Sequence, residues 1–317
     1  MGIGTVIGII MALALVVFIV SQIIKKKKNN NEGVDIVITP GTPGRQPTKK
    51  ALLVGINIYK PELGSNLRGC VNDVENIREL LVNYFGFNPE NIRVIINERA
   101  TKLDILERLG WLLSETVSGD ELVFHYSGHG SQVRDRHGDE LDDDLDEILC
   151  PHDLNWDDPL TDDILATLFD KVPVGVNLTM ISDSCHSGTI TRDIGCNGNM
   201  VDSIPKRIIP PYDIRSRSLG LKIQKKRNLG MSREIVQNHV LLSGCKDNQT
   251  SSDAYIGGKY QGALSWALTT AIKENPNMTW LELHKIITDK LKSYTQDPQL
   301  SGNDVLLNRK IFGGSIK

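Results

Sequence analysis

No two cysteines in this 317-residue sequence stand in a C-x-x-C pair. The five that are present are widely spaced, which argues against a disulfide framework or a zinc cluster and for a reducing compartment. Net positive charge is missing too. The formal balance is −3, where a general nucleic-acid binder would be basic, so nucleic acid is set aside as a partner. The chain has no internal repeat. Its N-terminal apolar run has no positive region ahead of it, which argues against a cleaved signal peptide.

That run, Ile3–Ile24, is nearly all apolar and uncharged, and Lys25, Lys26, Lys27 and Lys28 follow it. At about 1.5 Å per residue it is long enough to cross a bilayer core of about 30 Å. Lysines on the C-terminal flank keep that side cytoplasmic. The expectation is a single-pass membrane protein with residues 1–28 as anchor and basic flank and the rest in the cytosol. Residues 29–50, with Asn29–Asn31 and three prolines, read as a linker.

From Ala51 the pattern is α/β. Ala51–Ile56, Ile92–Ile96, Glu121–Tyr126, Val176–Ile181 and His239–Ser243 are short apolar runs, as in buried strands of a parallel sheet. Between them, Val74, Ile77, Leu80, Leu81 and Tyr84 recur with helical period, and Gly86 ends that helix. Leu103–Leu113 is a second helix with Thr101 as its cap. Asp162–Phe169, Gly262–Glu274 and Thr279–Tyr294 read as further helices, and Asp304–Leu307 as a last strand. Alternation of this kind is the signature of parallel βαβ units, an open, mostly parallel sheet flanked by helices.

Two strand ends carry chemistry. Asp183-Ser184-Cys185-His186-Ser187-Gly188 follows one apolar run, and Ser127-Gly128-His129-Gly130 follows another. Open α/β sheets place ligands at such ends, and a cysteine beside a histidine base is a nucleophile with its activator. A lone cysteine is more often a small buried hydrophobe, and a lone histidine after a strand is usually a loop residue. On spacing alone the two readings balance. An acidic tract, Asp139–Glu147, reads first as a solvated loop and second as a hard-cation site. Residues 196–238 form a long stretch of low periodicity, rich in Lys and Arg, of the kind that is functional or disordered.

Four blocks resemble one family. N-L-R-G-C-V-N-D-V at Asn66–Val74, H-Y-S-G-H-G at His125–Gly130, D-S-C-H-S-G at Asp183–Gly188 and L-S-G-C-K-D-N-Q-T-S-S-D at Leu242–Asp253 are similar, in this order, to type I metacaspases. These are caspase-like cysteine peptidases. The resemblance implies a peptidase domain over residues 51–317, with a large-subunit-like part (51–195), a basic linker loop (196–238) and a small-subunit-like part (239–317). It implies Cys185 as nucleophile, His129 as acid/base, and the N–H groups of Cys185 and Gly130 as oxyanion donors, each able to supply about 3–4 kcal/mol. It further implies cleavage of protein or peptide substrates after Arg or Lys. Asp73 and Asp183 would hold the cation by charge-assisted bonds, and Cys70 and Ser127 would line the pocket. Calcium is the implied activator, with Asp146, Asp162, Asp163 and Asp193 as its carboxylates. The tract has Asp143-Asp144 where Asp-Gly is expected, and Asp193 lies one residue late. Self-cleavage within Lys206–Arg233 is expected, at Arg207, Lys225, Lys226 or Arg227. The family resembles monomers. The rival is a catalytically silent scaffold binding partners through the basic loop. Asp73 and Asp183 speak against a caspase-like taste for acidic residues.

Overall fold

Runs of Leu, Ile and Val become strands here because they can be covered on both faces. The computed structural model describes residues 36–64, 66–134, 145–185, 202–214, 238–245, 249–294 and 296–317. The compact unit begins at Ile38. Part of the stretch read as linker is tied to it, since Thr48 N–H donates to Asp120 Oδ1 at 2.6 Å and Arg45 pairs with the same carboxylate.

Strand β1 (Lys49–Gly55) leads to helix α1 (Cys70–Phe85), which buries Val74, Ile77, Leu80, Leu81 and Phe85. Gly86 stops it in the left-handed region at φ 70°, its N–H donating to Leu81 O. Strand β2 (Ile92–Ile96) and helix α2 (Lys102–Leu113) follow, the Thr101 side chain accepting from Asp104 N–H at the cap. Next come β3 (Glu121–Ser127), β4 (Gly130–Arg134), β5 (Leu145–Leu149), β6 (Leu160–Thr161), α3 (Asp162–Phe169) and β7 (Asn177–Asp183). The remaining elements are β8 (Ser203–Pro205), β9 (His239–Ser243), β10 (Ser252–Ile256), β11 (Lys259–Gly262), α4 (Ala263–Glu274), α5 (Trp280–Leu291) and β12 (Gln299–Ser301).

The main sheet runs β12-β9-β7-β3-β1-β2. Every pairing in it is parallel except β9 with β12. Leu53, Val123, Ile181 and Leu242 on one face share a core with Ile77, Leu268 and Ile287 of α1, α4 and α5. Two small sheets, β4-β5-β6 and β11-β10-β8, complete the fold.

The sequence reading has no counterpart for β4, β6, β8, β10 and β11, and β5 takes in the end of the acidic tract read first as a loop. Asp304–Leu307 is a short helix, not a strand; the Asn303 side chain accepts from Leu306 N–H and starts it. The last strand is β12, a few residues earlier, and it runs antiparallel to β9. Among the described residues no helix is long and apolar enough to cross a membrane. The run expected to do so, residues 3–24, lies outside them.

Candidate active site

The site starts from the register of two neighbouring strands. β3 and β7 pair in parallel with Ser127 opposite Asp183. His129 and Cys185 are each two residues beyond that pair, so they leave the sheet side by side, and both are buried. Cys185 Sγ donates to Gln249 O at 2.8 Å. The loop carrying His129 is held from behind. Its N–H donates to the Tyr59 hydroxyl at 2.7 Å, and the Tyr59 ring lies 4.7 Å from the imidazole. The Tyr126 hydroxyl reaches His129 O at 2.8 Å. Tyr59 sits in an irregular loop after β1, and nothing in the sequence marks it.

The residues expected to form a basic pocket come together beside this pair. Asp73 lies in the first turn of α1 and Asp183 ends β7; both are fully buried. Between them is the ammonium of the chain's own Lys206, which is itself 0% exposed. Its Nζ is 3.2 Å from Asp73 Oδ2, 3.1 Å from Asp183 Oδ1 and 2.9 Å from Ser127 Oγ. Ser127 Oγ donates to Asp73 Oδ2 at 2.7 Å. Burial works against the Lys206 charge, but the carboxylates of Asp183, Asp73 and Asp253 outweigh it and hold the ammonium well above the usual lysine range. Cys70 is buried at the start of α1, and burial pushes its thiol up. Burial raises Asp73 to about 6, with Lys206 opposing and Asp183 adding to the rise. Asp183 is held below the carboxylate range: burial would raise it, but Lys206, Ser251 and Ser265 prevail.

Gly262, Ser251 and Ser265 also belong to this pocket; Ser251 lies in the fourth block, but the sequence assigns none of the three a role. Gly262 N–H donates to Asp73 Oδ1 at 2.9 Å. A Cβ on Gly262 would lie 2.3 Å from Lys206 Nζ and 2.1 Å from Asp183 Oδ2, so any side chain would fill the cation's place. Ser251 Oγ and Ser265 Oγ each donate to Asp183 at 2.7 Å.

The backbone of Lys206 is held as firmly as its side chain. Its carbonyl oxygen accepts from Gly130 N–H at 3.0 Å and from Cys185 N–H at 3.2 Å. These are the two donors that the resemblance implies for an oxyanion. Before Lys206, β8 pairs antiparallel with β10, and Lys206 N–H donates to Ser251 O at 2.9 Å. A tight turn, Arg207 N–H to Pro205 O, then redirects the chain along β4. Arg207 itself is only partly buried, and the basic side chain seated between the two carboxylates is that of Lys206, the residue before one of the candidate cleavage positions. Lys225, Lys226 and Arg227 lie outside the described residues.

The acidic corner is on the other side of β7. Asp162 and Asp163 open α3, directly after β6, and β6 pairs with β5, which carries Asp146 and Glu147. Glu147, Asp162 and Asp163 line a cavity of about 370 Å³ together with Phe169, Met180 and Leu241. Asp162 is pushed up to about 7 by burial, then by Glu147, Asp163 and Asp146. Among the described residues no group of three or more His, Cys, Asp or Glu is arranged to hold a metal ion. Asp143, Asp144 and Asp193 lie outside them. Glu147 is a carboxylate of this corner that the expected ligand set omits.

Residues 49–193 match the family model described as metacaspase, peptidase C14 domain. The chain is 34% identical over 285 residues to Metacaspase-1A of Aspergillus oryzae, covering 80% of this chain and 67% of that one. It is 34% identical over 284 residues to Metacaspase-1 of Ajellomyces capsulatus, covering 80% and 79%. The crystal structure of protein GSU0716 from Geobacter sulfurreducens superposes with a TM-score of 0.62 at 26% identity, over 84% of this chain and 99% of that one.

Proposed function

The chain belongs to the type I metacaspase family, caspase-like cysteine-type peptidases, and from that premise we propose that it is a calcium-activated endopeptidase that cuts after Lys or Arg, including its own Lys206. One observation carries the specificity. Lys206 seats its ammonium between Asp73 and Asp183 while its carbonyl accepts from Gly130 and Cys185 N–H. That is how a peptidase holds the residue before a scissile bond, with the side chain in the pocket and the carbonyl polarised by two donors.

The residues then have these roles. Cys185, as the thiolate, forms a bond to the Lys206-type carbonyl carbon. The negative charge that develops on oxygen is met by the Gly130 and Cys185 N–H groups. His129 gives a proton to the departing amine as the C–N bond breaks, leaving a thioester. Water, deprotonated by His129, then releases the acid and regenerates the thiol. A guanidinium fits the same pocket as the ammonium, because two carboxylates and Ser127 offer several acceptors. An acidic side chain is repelled there.

Calcium would supply positive charge at the acidic corner and do no bond chemistry. Glu147, Asp162 and Asp163 offer the hard oxygen donors calcium takes, with Asp146 next to Glu147 on β5; as placed they do not converge on one point, so binding would have to draw them together. Asp193, a few residues after Cys185, would join the nucleophile's loop to them. Residues 3–24 would tether the enzyme to a membrane, with the peptidase domain in the cytosol.

The test is turnover of Arg, Lys and Asp fluorogenic peptides by the full chain with and without calcium, followed by intact-mass analysis. The reading expects Arg and Lys turnover, none on Asp, and a new N-terminus at Arg207 that Cys185→Ala does not generate. Cleavage after Asp would overturn the specificity. An intact chain with active enzyme would overturn only self-cleavage.

A further inference from the structure

The segment that fills the cleft continues past the bond expected to break, and its far side is bound as closely as its near side. Gly130↔Arg207 is a parallel bridge on the edge of β4 that β5 does not use. Ile208 N–H donates to Gly130 O at 3.0 Å, and Ser131 Oγ donates to Ile208 O at 2.7 Å. Ser131 is fully buried, and Ile208 is 6% exposed. The segment alternates as a strand does: Lys206, Ile208 and Pro210 are buried, while Ile209 is 50% exposed. Gly130 thus serves both sides of the bond, its N–H on the Lys206 carbonyl and its own carbonyl on the Ile208 N–H.

We infer that the enzyme reads its substrates on both sides of the scissile bond. β4 binds the leaving side as an added parallel strand, and the second residue after the cut is apolar. This rests on the reading of Lys206 as a bound substrate residue. Gly130 and Ser131 are substrate-binding residues in this role. Backbone bonds of this kind give affinity, and alternate side-chain pockets give selectivity. The chemical class recognised is an extended peptide with Lys or Arg, then any residue, then Ile, Leu or Val. Its leaving half is held in line with Cys185 while the C–N bond breaks.

The experiment uses the full chain with Lys206→Ala, which removes the anchor of the resident segment, assayed with calcium. The probes are quenched peptides of sequence Ser-Ile-Pro-Lys-Ala-Xaa-Ile-Pro, with Ile, Gly or Asp as Xaa. Two further peptides have Xaa as Ile with its own nitrogen methylated, or with the next nitrogen methylated. An Arg-coumarin substrate, which has no leaving-side peptide, is the control. A buried apolar side chain and a backbone bond each predict roughly tenfold or more in kcat/KM. Ile is therefore expected to exceed Asp by that factor. Methylation of the Xaa nitrogen should cost about as much, and methylation of the next nitrogen less than about twofold. Equal rates for Ile, Gly and Asp, or equal tolerance of both methyl groups, would overturn the inference and leave the basic specificity standing. Turnover of Arg-coumarin with no cut in any spanning peptide would also overturn it. No turnover of any Lys or Arg substrate would remove the specificity reading, and this inference with it.

Discussion

Asp183 and Ser182 are neighbours on β7, and each borders a different group of carboxylates. A strand sends successive side chains to opposite faces, so the basic pocket and the acidic corner are separated by one sheet. Asp183 holds a full charge in a dry site because Lys206 and two serine hydroxyls face it. Asp162, in the cavity that Ser182 lines, is pushed up to about 7 by burial and by its own acidic neighbours. A buried carboxylate needs a cation, and the chain supplies one in the first place from its own sequence. The second place is where a soluble cation has most to neutralise. Both regions end on the segment that carries Cys185, so a change at one can reach the other through β7.

The largest effect is expected at the nucleophile, which follows the strand that both regions share. Cys185→Ala should abolish turnover and leave the chain uncut after Lys206, with thermal stability near wild type. His129→Ala should come close to it. Residual self-cleavage by Cys185→Ala would remove the mechanism. The pocket comes next. Asp183→Asn keeps the volume but leaves a buried cation facing one charge fewer, and such truncations cost about 2–5 kcal/mol. A fall in kcat/KM on Arg peptides of about 30-fold or more is expected. Asp73→Asn should cost less, because Asp73, raised to about 6, holds its charge less firmly than Asp183. Unchanged Arg cleavage in both variants would show that the carboxylates do not select the substrate.

Much of this was open to reading from the chain. The strands of the main sheet are apolar runs with no competing period, and helix α2 begins at the Thr101 cap the sequence names. Paired strand-end motifs put His129 and Cys185 at one edge because parallel neighbours share a direction. Asp304–Leu307 misled because a run of four residues fits either period, and the Asn303 cap decides it. Lys206 could not be singled out from a basic stretch. Its place depends on α1, β3 and β7 converging, and on the turn after Pro205. Gly262 carries no signal as a helix-capping glycine. Its importance is the space it leaves for an ammonium that arrives from 56 positions away in the sequence, 262 less 206.

The acidic corner gives a smaller and more selective effect. Asp162→Ala combined with Asp163→Ala should raise the calcium concentration for half-activation by about tenfold or more, from a millimolar-range starting point. Glu147→Gln should shift it less. Asp73→Asn, on the other face of the sheet, should change the maximal rate on Arg peptides but leave the calcium midpoint in place. A titration in which both sets of variants move the same parameter would erase the distinction between the two regions.

The mildest expected effect is the pH dependence of cation binding, and its sign follows from Asp73. With an ammonium in place the Asp73 carboxyl titrates at about 6, and Lys206 is one of the groups holding it that low. When the cation leaves, that help is lost and the carboxyl rises further. A proton and a cation therefore compete for the pocket. Affinity for a guanidinium should be greatest at high pH. It should weaken as pH falls through the value of the empty pocket, and level off below about 6, where Asp73 is neutral in both states. Calorimetry of benzamidine binding to the full chain carrying Cys185→Ala and Lys206→Ala, from pH 5 to 8, isolates this from the titration of the catalytic pair. Adding Asp73→Asn should flatten the curve at the weaker affinity. A curve that keeps its slope without Asp73 would assign the proton to another group and leave the two carboxylates of the pocket equivalent.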